Sequence, residues 1–222
     1  MSLSEDRRMH WGTGRVYHAL LASFFLLIAL QAFADPTGGL FVRLGWACLM
    51  VTCIVAGAST RRLLVVGLTL GIPAVGLLFV PGQASSIAAG SLSIATLVFI
   101  CAVILRRIFN HPDVSMATVS ASLVVYMALG VVWSQAYSMV ERLVPGSFTG
   151  LTGTDAVLVQ RDLFYYSYVT LATLGYGDIN PVSPVARSLA ITEAIVGQLY
   201  LVVLVAGLVG MRLAVRQSRS VR

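Results

Sequence analysis

The chain contains no lysine and little charge of either sign: 11% of its 222 residues are charged, nine acids against fifteen basic residues that are all arginine. Set beside 58% hydrophobic residues and a mean hydropathy of +0.88, this scarcity excludes a soluble globular domain, in which about a quarter of residues are charged. The net charge of +6 does not point to a nucleic acid, because the arginines stand in short clusters between apolar runs, a pattern that reads as membrane topology. Cysteine is scarce as well. Cys48, Cys53 and Cys101 are odd in number and lie inside apolar segments, which excludes a disulfide framework and leaves small buried hydrophobes. No nucleophile–base pair, metal-ligand cluster or phosphate loop is present in the sequence, so neither catalysis nor an organic cofactor is expected.

What is abundant is apolar run length. Six stretches, 16–34, 40–58, 63–80, 87–105, 116–140 and 185–215, approach or exceed the roughly 20 residues that span about 30 Å of hydrocarbon. An even number of spans puts both termini on one side. Eleven of the fifteen arginines fall on that side, leaving Arg43, Arg142, Arg161 and Arg187 for the other, so the positive-inside rule predicts cytoplasmic termini and a multi-pass protein of the cytoplasmic membrane. The basic start, apolar run and Ala32-Phe33-Ala34 also fit a cleaved secretory signal; an uncleaved first span is the expectation here. Only short segments are expected outside the bilayer, and the longest loop, 141–161, lies on the outer face. Pro73, with Gly71 and Gly76, predicts a kink in the third span. The histidines His10, His18 and His111 fall near the cytoplasmic face and are expected to be merely solvated.

Between the fifth and sixth spans lies the segment 161–172, too short to cross, followed at once by Thr173-Leu174-Gly175-Tyr176-Gly177-Asp178. A short helix ending in a glycine-interrupted strand at this place predicts a re-entrant loop. Such backbone is tolerated at membrane depth only where protein buries it or where it lines a watery path. To strip water from a cation, successive backbone carbonyls must point at one axis. Gly175 and Gly177 can take the positive φ this alternation needs without the steric cost of a Cβ. Each subunit supplies one oxygen per layer from Thr173, Leu174, Gly175 and Tyr176, so a closed four-fold ring is expected. The C-terminal dipole of the short helix, near Leu171 to Thr173, adds a secondary attraction for a cation.

The run from Thr173 to Asp178 resembles the selectivity signature of potassium channels, with Leu174 where Val or Ile is more usual. The resemblance covers about residues 118–212 and is to the bacterial pore-loop potassium channel family. It implies an all-α fold of six transmembrane helices with a re-entrant pore helix and filter, assembled as a homotetramer. Residues 1–112 would form a peripheral four-helix bundle and 113–222 the pore domain, joined by a linker around Pro112. The resemblance further implies K+ ions held at Thr173, Leu174, Gly175, Tyr176 and Gly177, with Asp178, Tyr165 and Tyr166 supporting the filter and the Tyr165 hydroxyl bridging to the Asp178 carboxylate. Val169 stands where some relatives carry a buried Glu, so their inactivation behaviour does not transfer. Gly197, nineteen residues after Asp178, sits where relatives carry a gating hinge.

In the same inherited register Gln198, Leu201, Val205 and Val209 line the cavity, while Glu193 turns away from the axis. An acid inside a span is by default a functional hypothesis, yet the reading favoured for Glu193 is a brace between inner helix and pore helix. For Gln198 two readings stand open: a polar ring in the cavity, or a hydrogen bond to a neighbouring inner helix. Residues 87–105 carry no charge, so a voltage sensor is not expected, since steep voltage dependence needs several charges in the field. The function implied is passive K+ conduction. A weakly selective cation channel and a non-conducting scaffold or modulatory subunit are the alternatives, and any opening signal would come from an unidentified ligand or subunit.

Overall fold

A computed structural model of the chain describes residues 3–32, 39–57, 61–110 and 116–220, with backbone alone at 3–15, 57, 116, 205 and 208–220. Seven helices account for nearly all of it: α1 (Leu3–Gln31), α2 (Gly39–Gly57), α3 (Arg61–Leu77), α4 (Gln83–Asn110), α5 (Met116–Leu143), α6 (Ala156–Leu171) and α7 (Pro184–Ser220). Four of them, α2, α4, α5 and α7, are long and apolar enough to cross a bilayer; the apolar part of α1, Val16–Gln31, and the 17-residue α3 are shorter than that. Pro73 lies within α3, which continues through it. His111 and Pro112 lie outside the described residues.

The helix ends follow local chemistry. Asp155 caps α6, its carboxylate accepting from the Val157 amide at 2.8 Å, and α7 begins with Pro184 behind Ser183, whose hydroxyl oxygen accepts from the Ala186 amide at 3.2 Å. The sequence had suggested a short helix from residue 161; α6 starts five residues earlier because the Asp155 cap and the run Ala156-Val157-Leu158-Val159 form its first turn.

One apolar core runs through α1, α2, α4 and α5, built on Leu20, Phe24, Leu49, Leu97, Ile104 and Val124. It includes Phe164 of α6, whose ring meets Trp46 edge-on at 6.3 Å between centroids. The amino-terminal helices therefore pack on α5 of their own chain. Several buried hydroxyls are satisfied locally. The Thr96, Ser122 and Ser138 hydroxyls donate to carbonyls four residues back, and Ser23 and Ser134 to carbonyls three back.

A second, smaller core joins Tyr137, Phe148, Leu163, Tyr166 and Ile179 at the loop end of α5 and α6. Here two short strands, β1 (Phe148–Thr149) and β2 (Asn180–Pro181), pair antiparallel, with Phe148 opposite Pro181 and Thr149 opposite Asn180. They clip the loop before α6 to the segment after the glycine-rich run. Glu141 orders the same loop by accepting from the amides of Gly146 at 2.8 Å and Phe148 at 3.0 Å. Buried Asp162 fastens it to α6, accepting from the Thr152 amide and hydroxyl at 2.6 and 2.7 Å and pairing with Arg161 at 3.0 Å.

Candidate functional site

The site is the loop Thr173–Asp178, held between α6 and α7. At the end of α6 the amides of Ala172, Thr173 and Leu174 fold back onto the carbonyls of Tyr168, Thr170 and Val169 at 2.9–3.0 Å. The helix terminus thereby consumes the loop's first donors and leaves the carbonyls of residues 173–176 without a partner among the described residues. Positive φ recurs at every second residue: 57° at Thr173, 59° at Gly175 and 77° at Gly177. Alternating left- and right-handed backbone turns successive carbonyls toward one side, an arrangement that costs an L-residue about 1–2 kcal/mol at each left-handed position. Glycine removes that cost at two positions; Thr173 bears it, and sequence gave no sign of this, since a β-branched residue is poorly suited to φ > 0.

At the outer end the Tyr165 hydroxyl donates to the Asp178 carboxylate at 2.8 Å, and its ring stacks on Tyr176, 10° from parallel. The Gly177 carbonyl accepts from the Asn180 amide group at 2.8 Å, so this oxygen is engaged and stands apart from those of residues 173–176. Tyr166 lies elsewhere. It packs against Tyr137 and Phe148 in the smaller core, because neighbours on a helix are about 100° apart and cannot face the same loop. Within its own chain it shares that core with Ile179, the residue after Asp178. At the inner end the Gln198 side-chain amide donates to the Thr173 hydroxyl at 3.4 Å, within its own chain. Leu201 is half-buried; the side chains of Val205 and Val209 lie outside the described residues.

Behind the loop, α5, α6 and α7 are bolted together through buried polar groups. Glu193 is fully buried and accepts from the Tyr137 hydroxyl at 2.5 Å and the Ser167 hydroxyl at 2.6 Å; Ser167 also lies 2.7 Å from the Gly130 carbonyl. Tyr168 donates to the Met127 carbonyl at 2.7 Å, its ring seated on Gly130, where a Cβ would come within 2.7 Å of it. The Leu171 carbonyl accepts from Tyr126 at 3.2 Å. Glu193 was visible in the sequence as an acid in an apolar run; Tyr137 and Ser167, 56 and 26 residues away, were not identifiable as its partners.

Gly197 lies directly against the end of α6. A Cβ there would stand 2.8 Å from Leu171 Cδ1 and 2.9 Å from its carbonyl oxygen, while α7 runs through the position as continuous helix. The geometry gives this glycine a packing reason. Gly197→Ala is expected to lower the thermal midpoint of the detergent-solubilised protein by several degrees, since overpacking costs about 1–3 kcal/mol. An unchanged midpoint with altered opening would point to a hinge instead.

On its own chain the loop has only one wall. Ala172 to Asp178 are all exposed, and a Cβ at Gly175 or Gly177 would meet nothing within 4 Å. The apolar stretch Pro184–Leu204 of α7 is 11% buried, against 50% for the spans of α2 and α5, leaving Ile191, Ile195, Leu199, Val202 and Val203 bare.

Residues 143–212 match a family model described as an ion channel. The chain is similar to the two pore potassium channel c of Oryza sativa subsp. japonica, 33% identical over 109 residues that make up 45% of this chain and 22% of that one. It is also similar to the inward rectifier potassium channel Kirbac3.1 of Paramagnetospirillum magnetotacticum, 34% identical over 82 residues, 35% of this chain and 24% of that one. The chain thus spans less than a quarter of the length of either relative. No solved structure matches it. The similarity falls on proteins that move ions, not on enzymes.

Proposed function

We propose that the chain is one subunit of a homotetrameric, potassium-selective channel, a six-span protein of the cytoplasmic membrane with both termini cytoplasmic. The observation that carries this reading is the alternation of positive φ at Thr173, Gly175 and Gly177 in a loop with exposed backbone and no second wall of its own. Four copies around an axis would supply that wall and turn single carbonyls into rings. The bare apolar face of α7 is the matching surface for such packing. The match of residues 143–212 to an ion-channel family and the printed names of the two relatives support the same reading.

In this mechanism a potassium ion exchanges its hydration shell for carbonyl oxygens of Thr173, Leu174, Gly175 and Tyr176, so dehydration is offset at each step. The Tyr165–Asp178 bond and the Tyr165–Tyr176 stack hold the outer rings at fixed diameter, and the Thr173 hydroxyl with Gln198 forms the inner mouth. Residues 1–112 act as a peripheral bundle bearing on the pore through α5, and α1 and α3 cross the bilayer with their flanking residues.

The test is reversal potential in liposomes containing only this protein, with potassium on one side and sodium on the other. The expected value lies near the potassium equilibrium potential. A reversal near zero would overturn selectivity, and absence of flux from folded assemblies would favour a non-conducting modulatory subunit.

A further inference from the structure

A cavity of about 120 Å3 opens where the amino-terminal helices meet the pore helix, between the start of α2, the end of α3, the start of α4, the end of α5 and the first turn of α6. Two arginines line it, Arg43 and Arg142, from the minority that the arginine count assigns to the outer face. Arg142 is half-buried. Neither guanidinium has an ion pair or hydrogen bond among the described residues, where Asp162 pairs with Arg161 instead.

No carboxylate lines the cavity. Among the described acids, Asp155 accepts from the Val157 amide and Glu141 from the amides of Gly146 and Phe148. Two amide side chains complete the lining. Gln135 is 7% exposed and has no hydrogen-bond partner among the described residues, and the buried Nε2 of Gln160 has none either. The first turn of α6, through Ala156 and Val157, brings the positive end of that helix to the same space.

A half-buried cation and unpaired buried donors are costly unless something accepts from them. Every polar side chain that lacks a partner here can donate, and the space is ample for a small anion, since about 10–15 Å3 already holds a water. Guanidinium favours planar, bidentate recognition of phosphate. The other walls are apolar, among them Val42, Trp46, Ile87 and Met139, and Leu40, Phe41 and Leu44 beside Arg43 are exposed, so the mouth adjoins the lipid-facing surface. We propose that this cavity binds a phosphate group, gripped by Arg142 and Arg43 with Gln135 and Gln160, as the headgroup of an anionic lipid or as the free ion. The site lies behind the pore helix and stands whether or not the chain conducts.

The test uses the full chain in uncharged detergent, reading thermal midpoint and the fluorescence of Trp46, with Trp46→Phe to identify the signal. The probes are dihexanoyl phosphatidylglycerol, inorganic phosphate and, as a phosphate-free control, dihexanoylglycerol. Saturable binding of at least one phosphate probe is expected, about tenfold weaker in Arg142→Gln and absent in Arg43→Gln/Arg142→Gln, with no saturation by the control. Saturation by phosphate alone assigns the free ion, and saturation by the lipid alone assigns the headgroup. Arg43→Gln, on an exposed side chain with no partner among the described residues, keeps the comparison valid if Arg142→Gln folds poorly. Equal binding by native protein and both single variants, or saturation by neither phosphate probe, would overturn the proposal.

Discussion

Liposomes containing only the Gly175→Ala protein are expected to show a reversal potential displaced from the potassium equilibrium value toward zero, or no potassium flux at all. At φ 59° an alanine Cβ meets the following backbone, a cost of about 1–2 kcal/mol in each copy. Four copies in one ring would multiply it to roughly 4–8 kcal/mol, comparable to the whole stability of many domains. The loop can relieve that strain only by rotating the 175 peptide, which takes a carbonyl out of its ring. Within one chain the added methyl meets nothing within 4 Å beyond its own chain neighbours, so folding of the subunit should survive. The discriminating measurements are therefore thermal midpoint, expected near native, and reversal potential, expected to move. Native selectivity in Gly175→Ala would remove the carbonyl-ring mechanism.

The second large effect concerns Glu193. Glu193→Leu keeps the approximate volume but leaves the Tyr137 hydroxyl facing an apolar side chain in a fully buried position, whereas Ser167 retains the Gly130 carbonyl as an acceptor. One orphaned buried hydroxyl costs about 1–3 kcal/mol. Glu193→Leu should lower the thermal midpoint by several degrees, and Tyr137→Phe added to it should recover most of the loss, because removing both partners of a buried bond is far milder than removing one. Glu193→Gln keeps an acceptor and should change both stability and conductance little. No recovery in the double variant would mean that Glu193 acts through something other than this bond, and a strongly altered conductance in Glu193→Gln would return it to the list of residues sensed by the ion.

These residues also mark how far sequence could reach. The proposed filter run was legible because its requirement is written in consecutive residues: two glycines with a tyrosine between them and a threonine before. The strut from Tyr165 to Asp178 spans 13 residues of one local loop and is present in the structure at 2.8 Å. Tyr166 was harder, since adjacency in sequence suggested shared duty while the helical turn sent it to Phe148 and Tyr137. The start of α6 had a readable signal, an Asp before an apolar run, masked by charged Arg161-Asp162 inside the helix. The buried Asp162 there holds the Thr152 loop. Where partners come from three separate helices, as around Glu193 or the arginine-lined cavity, pattern along the chain carries no record of who meets whom. Packing alone decides it.

The one-walled loop, if it is the filter proposed, also bears on inheritance. If each ring draws one residue from every copy, a faulty chain is not diluted by good ones but spoils the assemblies it enters. With native and Gly175→Ala chains made equally and mixed at random, roughly one assembly in sixteen would contain four native loops. A cell carrying both alleles would thus lose most of its selective conductance, whereas one that made half as much native chain would lose about half. Dominance of a filter mutation would follow from the chain's geometry rather than from any toxicity of the altered protein.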